Sequence, residues 1–332
     1  MKWTWFGWQG LSFPVPEEWN LGKITGDARS GSVRLDDGEV VRVEAEWREL
    51  EGRVPGVTTL VDRYVEKLTK RASKSGARIE VKRRVQLIPE GSLPDKDWEV
   101  FVWRGEARAY NLAWRCRTCG RIGLLRVFAK GSEDIGRYAG RIFSNLEDHP
   151  TEGRRLWGIY GMVLMVPEGF KLEEHSLRTG HIRLAFKEGG RTLTVDRVSL
   201  ADIMLRGRTL KDWFLDFFDK SLRDFERPSF EGTSFLGHPG LRVFAPPKKL
   251  WKRPFFPTFD RVRRSLFLRG CIWRCDDTNT LWAVMATSKE RDDLLAEEVT
   301  KDVSCHKSSH KPGSDAQVPS GSQFPGQMGA GR

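Results

Sequence analysis

Residues 10–19 read GLSFPVPEEW and residues 161–170 read GMVLMVPEGF, and these two stretches decide how the chain is interpreted. In both, a glycine opens an apolar run, and a Pro-Glu pair follows six residues later, at Pro16 and Pro167. A short apolar run closed by a turn signal is typical of a β-strand. The match indicates that the chain carries the same strand twice.

Five further matches follow in the same order along the chain. They are 31–35 (GSVRL) with 180–184 (GHIRL), 41–44 (VRVE) with 193–196 (LTVD), 59–62 (TLVD) with 209–212 (TLKD), 114–116 (WRC) with 273–275 (WRC), and 127–129 (VFA) with 284–286 (VMA). Repeats of this kind define architecture more strongly than any single motif. The sequence predicts a first module over 1–150, a second module over 151–305, and a disordered tail over 306–332.

Each module is predicted to contain strands, one long helix, a four-stranded meander and a closing helix. The strands are expected where apolar and polar residues alternate. Thr59 and Thr209 are expected to start the long helices as N-caps, and Ser132 and Ser288 to start the closing ones. The predicted fold class is α+β, with an antiparallel sheet packed against helices in each module.

The opening pattern, the order of elements and the closing helix after an Ala together resemble the PsbP-like fold, a group that includes the Ran-binding Mog proteins. The resemblance would cover each module almost entirely. It implies a non-catalytic binding or accessory protein, and it carries over no functional residue because no site motif of the family is visible here.

Composition limits the classes of protein. The 332 residues include 56 Lys and Arg against 45 Asp and Glu, a formal charge of +11, which favours polyanionic or acidic partners but is equally typical of a solvated basic surface.

No window approaches the roughly 18 apolar residues of a membrane span, so we expect no membrane insertion and a cytoplasmic protein. Asn and Gln are scarce before residue 305, which suggests a thermophilic source.

The second module carries an insertion at about 245–262, in which cations alternate with aromatic residues. This mixture suits a nucleic-acid contact with base stacking, or an anchor on an acidic protein partner; the alternative is a loop whose aromatic rings pack back onto the sheet. The candidate binding residues are Lys248, Lys249, Trp251, Lys252, Arg253, Phe255, Phe256, Arg261, Arg263 and Arg264.

Cys116 and Cys119 are the candidate metal ligands, because a Cys-x-x-Cys-Gly turn brings two thiolates to one side of a zinc ion. Their counterparts Cys271 and Cys275 are predicted to lie roughly 13 Å apart on one strand face, which disfavours a second knuckle. Zinc, a disulfide and free thiols therefore all remain open. Cys305, with His306 beyond it, has metal-binding residue types but is expected to lead into a mobile tail.

Catalytic motifs are missing from the sequence. No phosphate-binding glycine loop, nucleophile elbow or paired-histidine metal helix is present, and His149, His175, His181 and His238 are interpreted as turn or surface residues. The leading hypothesis is a non-enzymatic protein that binds another protein. A nucleic-acid-binding protein and an unrecognised enzyme with a site between the modules are the alternatives, and zinc is the one cofactor considered.

Overall fold

The computed structural model describes residues 2–52, 54–150, 152–248 and 266–306. The first half contains β1 (Trp3–Trp8), β2 (Leu11–Pro16), β3 (Asn20–Gly26), β4 (Ser30–Asp36), β5 (Val41–Glu49), α1 (Val57–Lys74), β6 (Glu80–Lys82), β7 (Lys96–Arg104), β8 (Arg108–Cys116), β9 (Arg121–Ala129) and α2 (Gly136–Ser144).

The second half repeats this order with different helices. It contains β10 (Arg154–Ile159), β11 (Met162–Pro167), β12 (Lys171–Arg178), β13 (His181–Glu188), β14 (Arg191–Ser199), α3 (Ala201–Met204), α4 (Leu210–Phe217), α5 (Asp219–Leu222), β15 (Ser229–Phe235), β16 (His238–Ala245), β17 (Phe267–Cys275), β18 (Thr280–Ser288) and α6 (Leu295–Lys301).

The strands form three antiparallel sheets. The first has seven strands in the order β3-β4-β5-β9-β8-β7-β6, and the second has seven in the matching order β12-β13-β14-β18-β17-β16-β15. The predicted α+β class is wrong: among the described residues 49% lie in strands and 17% in helices, so the structure is mostly antiparallel β-sheet. Apolar residues at helical spacing predict longer closing helices than those that form, and no sequence pattern indicates the third sheet.

That third sheet joins the two halves, in the order β11-β10-β1-β2. β1 crosses β10 with Gly7 opposite Gly158. A Cβ atom on Gly158 would lie 2.3 Å from the carbonyl oxygen of Trp5, and one on Gly7 would lie 2.7 Å from that of Leu156. Only glycine permits so close a backbone approach, so both residues are required where the halves meet.

The helix starts differ from several predicted ones. α4 does begin at Thr209, whose side chain and that of Asp212 form a capping box. α1 instead begins after Gly56 without a side-chain cap, so Thr59 lies inside it. The closing helices begin after Ile135 and Leu294, not at Ser132 or Ser288. A threonine or serine is an N-cap only if the helix begins directly after it. The apolar spacing shows that a helix is present but does not show at which residue it begins.

One buried cluster runs through both halves. It includes Phe13 on β2, Trp157 on β10 and Trp273 on β17, and the rings of Trp8 and Trp157 meet edge to face at 5.3 Å. A separate cluster beneath α4 buries Trp213 and other aromatic residues against the second sheet, as the sequence predicted for this stripe. Among the described parts of the chain, no helix has the length and apolar character that a membrane span requires.

Candidate metal sites

Two groups of metal-binding side chains lie at the same place in the two halves. β8 ends at Cys116 and β17 ends at Cys275, each two residues after a buried Trp. The segment after each closing helix forms an isolated bridge with the third sheet, Glu147 with Ser12 in the first half and Ser304 with Val163 in the second. The two residues that follow each bridge, Asp148-His149 and Cys305-His306, therefore lie near the ends of β8 and β17.

The second-half site consists of His238, Cys275, Cys305 and His306. One donor atom from each residue lies within 4.8 Å of the other three. His306 Nδ1 is 3.2 Å from His238 Nε2 and 3.3 Å from Cys305 Sγ, and 4.0 Å from Cys275 Sγ. Donors around a tetrahedral zinc ion lie roughly 3.3–3.8 Å apart. The spacing therefore suits one ion bound by two sulfur and two nitrogen atoms.

The first-half site consists of Cys116, Cys119, Asp148 and His149, whose donor atoms also lie within 4.8 Å of one another. His149 Nδ1 is 3.5 Å from Cys116 Sγ and 3.0 Å from Asp148 Oδ1. The amide of Cys119 donates to Cys116 Sγ at 3.4 Å. This amide-to-sulfur bond forms because the turn after β8 folds the chain back over the sulfur, as a zinc knuckle requires.

Three of the four positions are equivalent in the two sites. Cys116 corresponds to Cys275, Asp148 to Cys305 and His149 to His306, by their places relative to the strands and bridges. The fourth ligand comes from a different element in each half. Cys119 lies on the turn after β8, whereas His238 is the first residue of β16. Gly240 pairs with Trp273 on the antiparallel neighbour β17, so His238, two residues earlier, lies beside Cys275, two residues later.

A lysine occupies the first-half position that corresponds to His238. Lys96 on β7 faces Cys116 on β8. Its ammonium lies 2.6 Å from Asp95 Oδ2 and 3.2 Å from Asp148 Oδ1, with the side chain only 2% exposed. Burial lowers the pKa of Lys96, but the two carboxylates outweigh burial and the net pKa is raised. Lys96 therefore brings a fixed positive charge to the first-half site.

The thiols of the two sites differ in their electrostatics. The Cys119 thiol and the amides of Cys119 and Thr118 lower the pKa of Cys116 to about 6, so that a thiolate is favoured at neutral pH. Burial, and then the neighbouring Cys275, raise the pKa of Cys305 to about 12. Without a metal, Cys305 is therefore a neutral thiol at pH 7. A divalent ion would displace its proton on binding, because the charge of the metal stabilises the thiolate.

The donor set fits zinc best. Thiolate and imidazole are the usual ligands of structural zinc, and the second-half site is a complete Cys2His2 set. All five cysteines are free thiols, so neither site competes with a disulfide. Cys271 lies outside both groups; burial raises its pKa to about 12 and leaves it a neutral thiol in the core.

The candidate metal ligands Cys116 and Cys119 do lie together, and Asp148 and His149 complete their group. The sequence predicts neither His149 nor, in the second group, His238 as a ligand, and it places Cys305 at the start of a mobile tail. Cys305 is 3% exposed and His306 belongs to the described chain. The alignment of the repeats held the missing signal, since Asp148-His149 and Cys305-His306 follow the two closing helices at matching positions.

Most of the predicted binding insertion lies outside the described residues. These residues are Lys249, Trp251, Lys252, Arg253, Phe255, Phe256, Arg261, Arg263 and Arg264. Lys248 is described, and its ammonium donates to the carbonyl oxygen of Arg223 at 2.6 Å. The predicted disordered tail, apart from His306, also lies outside the described residues.

In comparisons with known proteins, no family model and no curated protein matches this chain.

Proposed function

We propose that the protein binds two zinc ions, one in each half, and that it acts as a non-enzymatic accessory protein whose fold the metal completes. The observation that supports this most strongly is recurrence. The same corner of the fold presents four donor atoms within 4.8 Å in both halves, although the fourth ligand comes from a different element in each. If a metal is needed at this place in both halves, four donors are expected there even when one of them comes from a different element in each half.

Both sites tie the end of one half to its sheet. In the second half, Cys305 and His306 follow α6, whereas Cys275 and His238 end β17 and open β16. An ion held by all four residues fixes the segment after α6 against the strand ends. Structural zinc stabilises a fold in this way because the unfolded chain cannot present the four ligands together.

Metal content and cobalt substitution test the proposal. The purified protein, expressed with zinc and under reducing conditions, should contain two zinc ions per chain by elemental mass spectrometry. Replacement by Co2+ should give the visible absorption of tetrahedral thiolate coordination. Cys275→Ser combined with His306→Ala should lower the content to one ion, and Cys119→Ser combined with His149→Ala should do the same. Both pairs together should leave none.

Cys271→Ser is the matched control, because Cys271 lies four residues before Cys275 on the same strand and outside both sites. It should retain two ions. A wild-type protein that carries no zinc and gives no cobalt spectrum would refute the proposal, and so would equal losses of metal in Cys271→Ser and in the site variants.

The partner remains a proposal from the sequence. We propose a protein partner first and nucleic acid second, in both cases through the segment from Lys248 to Arg264, and an enzyme with a site between the halves as the third alternative. We also propose the cytoplasm as the compartment, since free thiols and thiolate-bound zinc persist in reducing surroundings.

A further inference from the structure

We infer that the first-half site binds its metal through Cys116, Cys119 and His149 alone, and leaves the fourth position open to a neutral oxygen or nitrogen donor from outside the chain. The second-half site, in contrast, is closed by four protein ligands. The inference rests on the proposed function, because it requires that the first-half site binds a metal.

Asp148 is the residue that would otherwise close the first-half site, and its carboxylate is already engaged. Trp114 Nε1 donates to Oδ2 at 2.8 Å. Lys96 Nζ lies 3.2 Å from Oδ1, and the Asp148 side chain is completely buried. Both oxygens of Asp148 are thus already engaged by donors.

Lys96 makes direct coordination by Asp148 costly. A metal bound to Asp148 Oδ1 at about 2 Å would lie within a few ångströms of the Lys96 ammonium, in a part of the protein with little screening by solvent. The second half avoids this repulsion, because its corresponding position holds the neutral ligand His238 and the residue equivalent to Asp148 is Cys305. The difference between Lys96 and His238 at this position is therefore what leaves the first-half site open and closes the second-half site.

A cavity gives the first-half site access to a ligand. It has a volume of about 480 Å³ and is lined by His149, Lys96 and Asp95 at the metal side, with Ser92, Asn145 and Trp5 among the other lining residues. The volume lies in the range of small-molecule sites. His149 is the one ligand of the site among the residues that line this cavity, and we place the open position on its side.

Charge selects the class of ligand. With zinc bound, the two thiolates and the Asp148 carboxylate are balanced by the divalent ion and the Lys96 ammonium. Asp95 adds a further negative charge beside His149, at 3.6 Å from its Nδ1. Arg121 donates to the Asp148 carbonyl oxygen at 2.7 Å, and Glu49, 3.9 Å away, offsets its charge. An anion is therefore disfavoured, and water, a carbonyl oxygen or an uncharged nitrogen is preferred. An open position on a zinc ion is also where a bound water or carbonyl becomes polarised.

Imidazole, a small neutral nitrogen donor, is the probe for the open position. It is titrated into Co2+-loaded protein while the visible spectrum is followed. The first-half site is observed alone in the Cys275→Ser, His306→Ala protein, and the second-half site alone in the Cys119→Ser, His149→Ala protein. We expect a saturable spectral shift in the former and none in the latter. In wild-type protein, which needs no substitution to fold, the shift should affect one of the two bound ions.

The outcomes separate the two proposals. Cobalt bound at the first-half site with a spectrum that imidazole leaves unchanged would overturn the open position while keeping metal binding. An equal shift at both sites would overturn the distinction between an open and a closed site. Absence of cobalt binding in the wild-type protein would refute the proposed function itself.

Discussion

The indole nitrogen of Trp114 donates a hydrogen bond of 2.8 Å to Asp148 Oδ2, and both side chains are completely buried. The bond ties the end of the first half to β8. Trp114→Phe would leave that carboxylate oxygen without its donor, which should lower the free energy of unfolding by about 1–3 kcal/mol. It should also weaken metal binding at the first-half site about 10- to 100-fold, because His149 follows directly in the chain. Urea unfolding and metal competition measure the two effects.

Trp157→Phe is the matched control for this substitution. Trp157 is equally buried, and its indole nitrogen has no hydrogen-bond partner among the described residues. It should lose similar ring volume without leaving an acceptor unpaired, and metal affinity should stay unchanged. Equal effects of the two substitutions on first-half metal affinity would show that the Trp114 hydrogen bond does not position His149.

The crossing of β1 and β10 should not accept a side chain. In Gly158→Ala the new methyl group would meet the Trp5 carbonyl at 2.3 Å, so the strands must separate. We expect a loss of stability of about 1–3 kcal/mol in thermal or urea unfolding. Gly232→Ala, on β15 where no atom lies within 4 Å of the new methyl, should change stability by less than about 0.5 kcal/mol. Equal losses in the two variants would contradict the close approach.

Asp293 should make the protein sensitive to acid. Burial raises the pKa of Asp293, but the Leu295 amide and the two-pronged bond from Arg191, at 2.9 Å to each oxygen, outweigh burial and the net pKa is lowered. A carboxylate with a lowered folded pKa stabilises the fold above its unfolded pKa of about 4, and the stabilisation is lost as pH falls through the folded value.

Asp293→Asn should therefore cost about 2 kcal/mol near pH 7, and the difference from wild type should shrink as the pH falls below about 4. Urea unfolding across pH measures it. Asp292→Asn, at the neighbouring exposed position, is the control and should change little at any pH. A difference between Asp293→Asn and wild type that stays constant down to pH 3 would show that the charge of Asp293 does not stabilise the fold.

The basic and aromatic insertion gives a prediction from sequence alone. If it contacts nucleic acid, electrophoretic mobility shifts of single-stranded DNA or RNA should weaken steeply with salt, since phosphate contacts release counterions. Replacing Trp251, Phe255 and Phe256 by Ala should remove the stacking part of binding, about 1–3 kcal/mol per base stacked. Absence of binding by wild-type protein at low salt would leave a protein partner as the proposal.

The duplication could be read from the sequence because matching spacing survives where side chains have diverged. The strand around Leu11 and its counterpart around Met162 were placed correctly from their flanking glycines and prolines. The pairing of β1 with β10 could not be predicted, because the two strands come from distant parts of the chain and no local pattern indicates which strands pair. The helix content was overestimated, since the closing helix of the second half begins at Leu295 and not after Ser288.

The candidate metal sites could be predicted from the sequence only in part. Cys116 and Cys119 form a local motif, and local spacing is what a sequence pattern shows. The other members of the two groups come from the chain after α2 and α6, from β16 and from the end of β17, so only the folded topology brings them together. Cys271 and Cys275 show the same limit: their spacing disfavours a knuckle between them, and Cys275 instead meets ligands from distant parts of the chain, while Cys271 lies in the core.

Gly7 and Gly158 occupy the same position in the two repeats, separated by the offset that relates Gly10 to Gly161. Their pairing is thus isologous, the contact made by a two-fold homodimer, but written within a single polypeptide. Because one polypeptide makes this contact, it does not depend on protein concentration. The two halves also need not be identical, so that a lysine lies at one candidate metal site and a histidine at the corresponding place in the other.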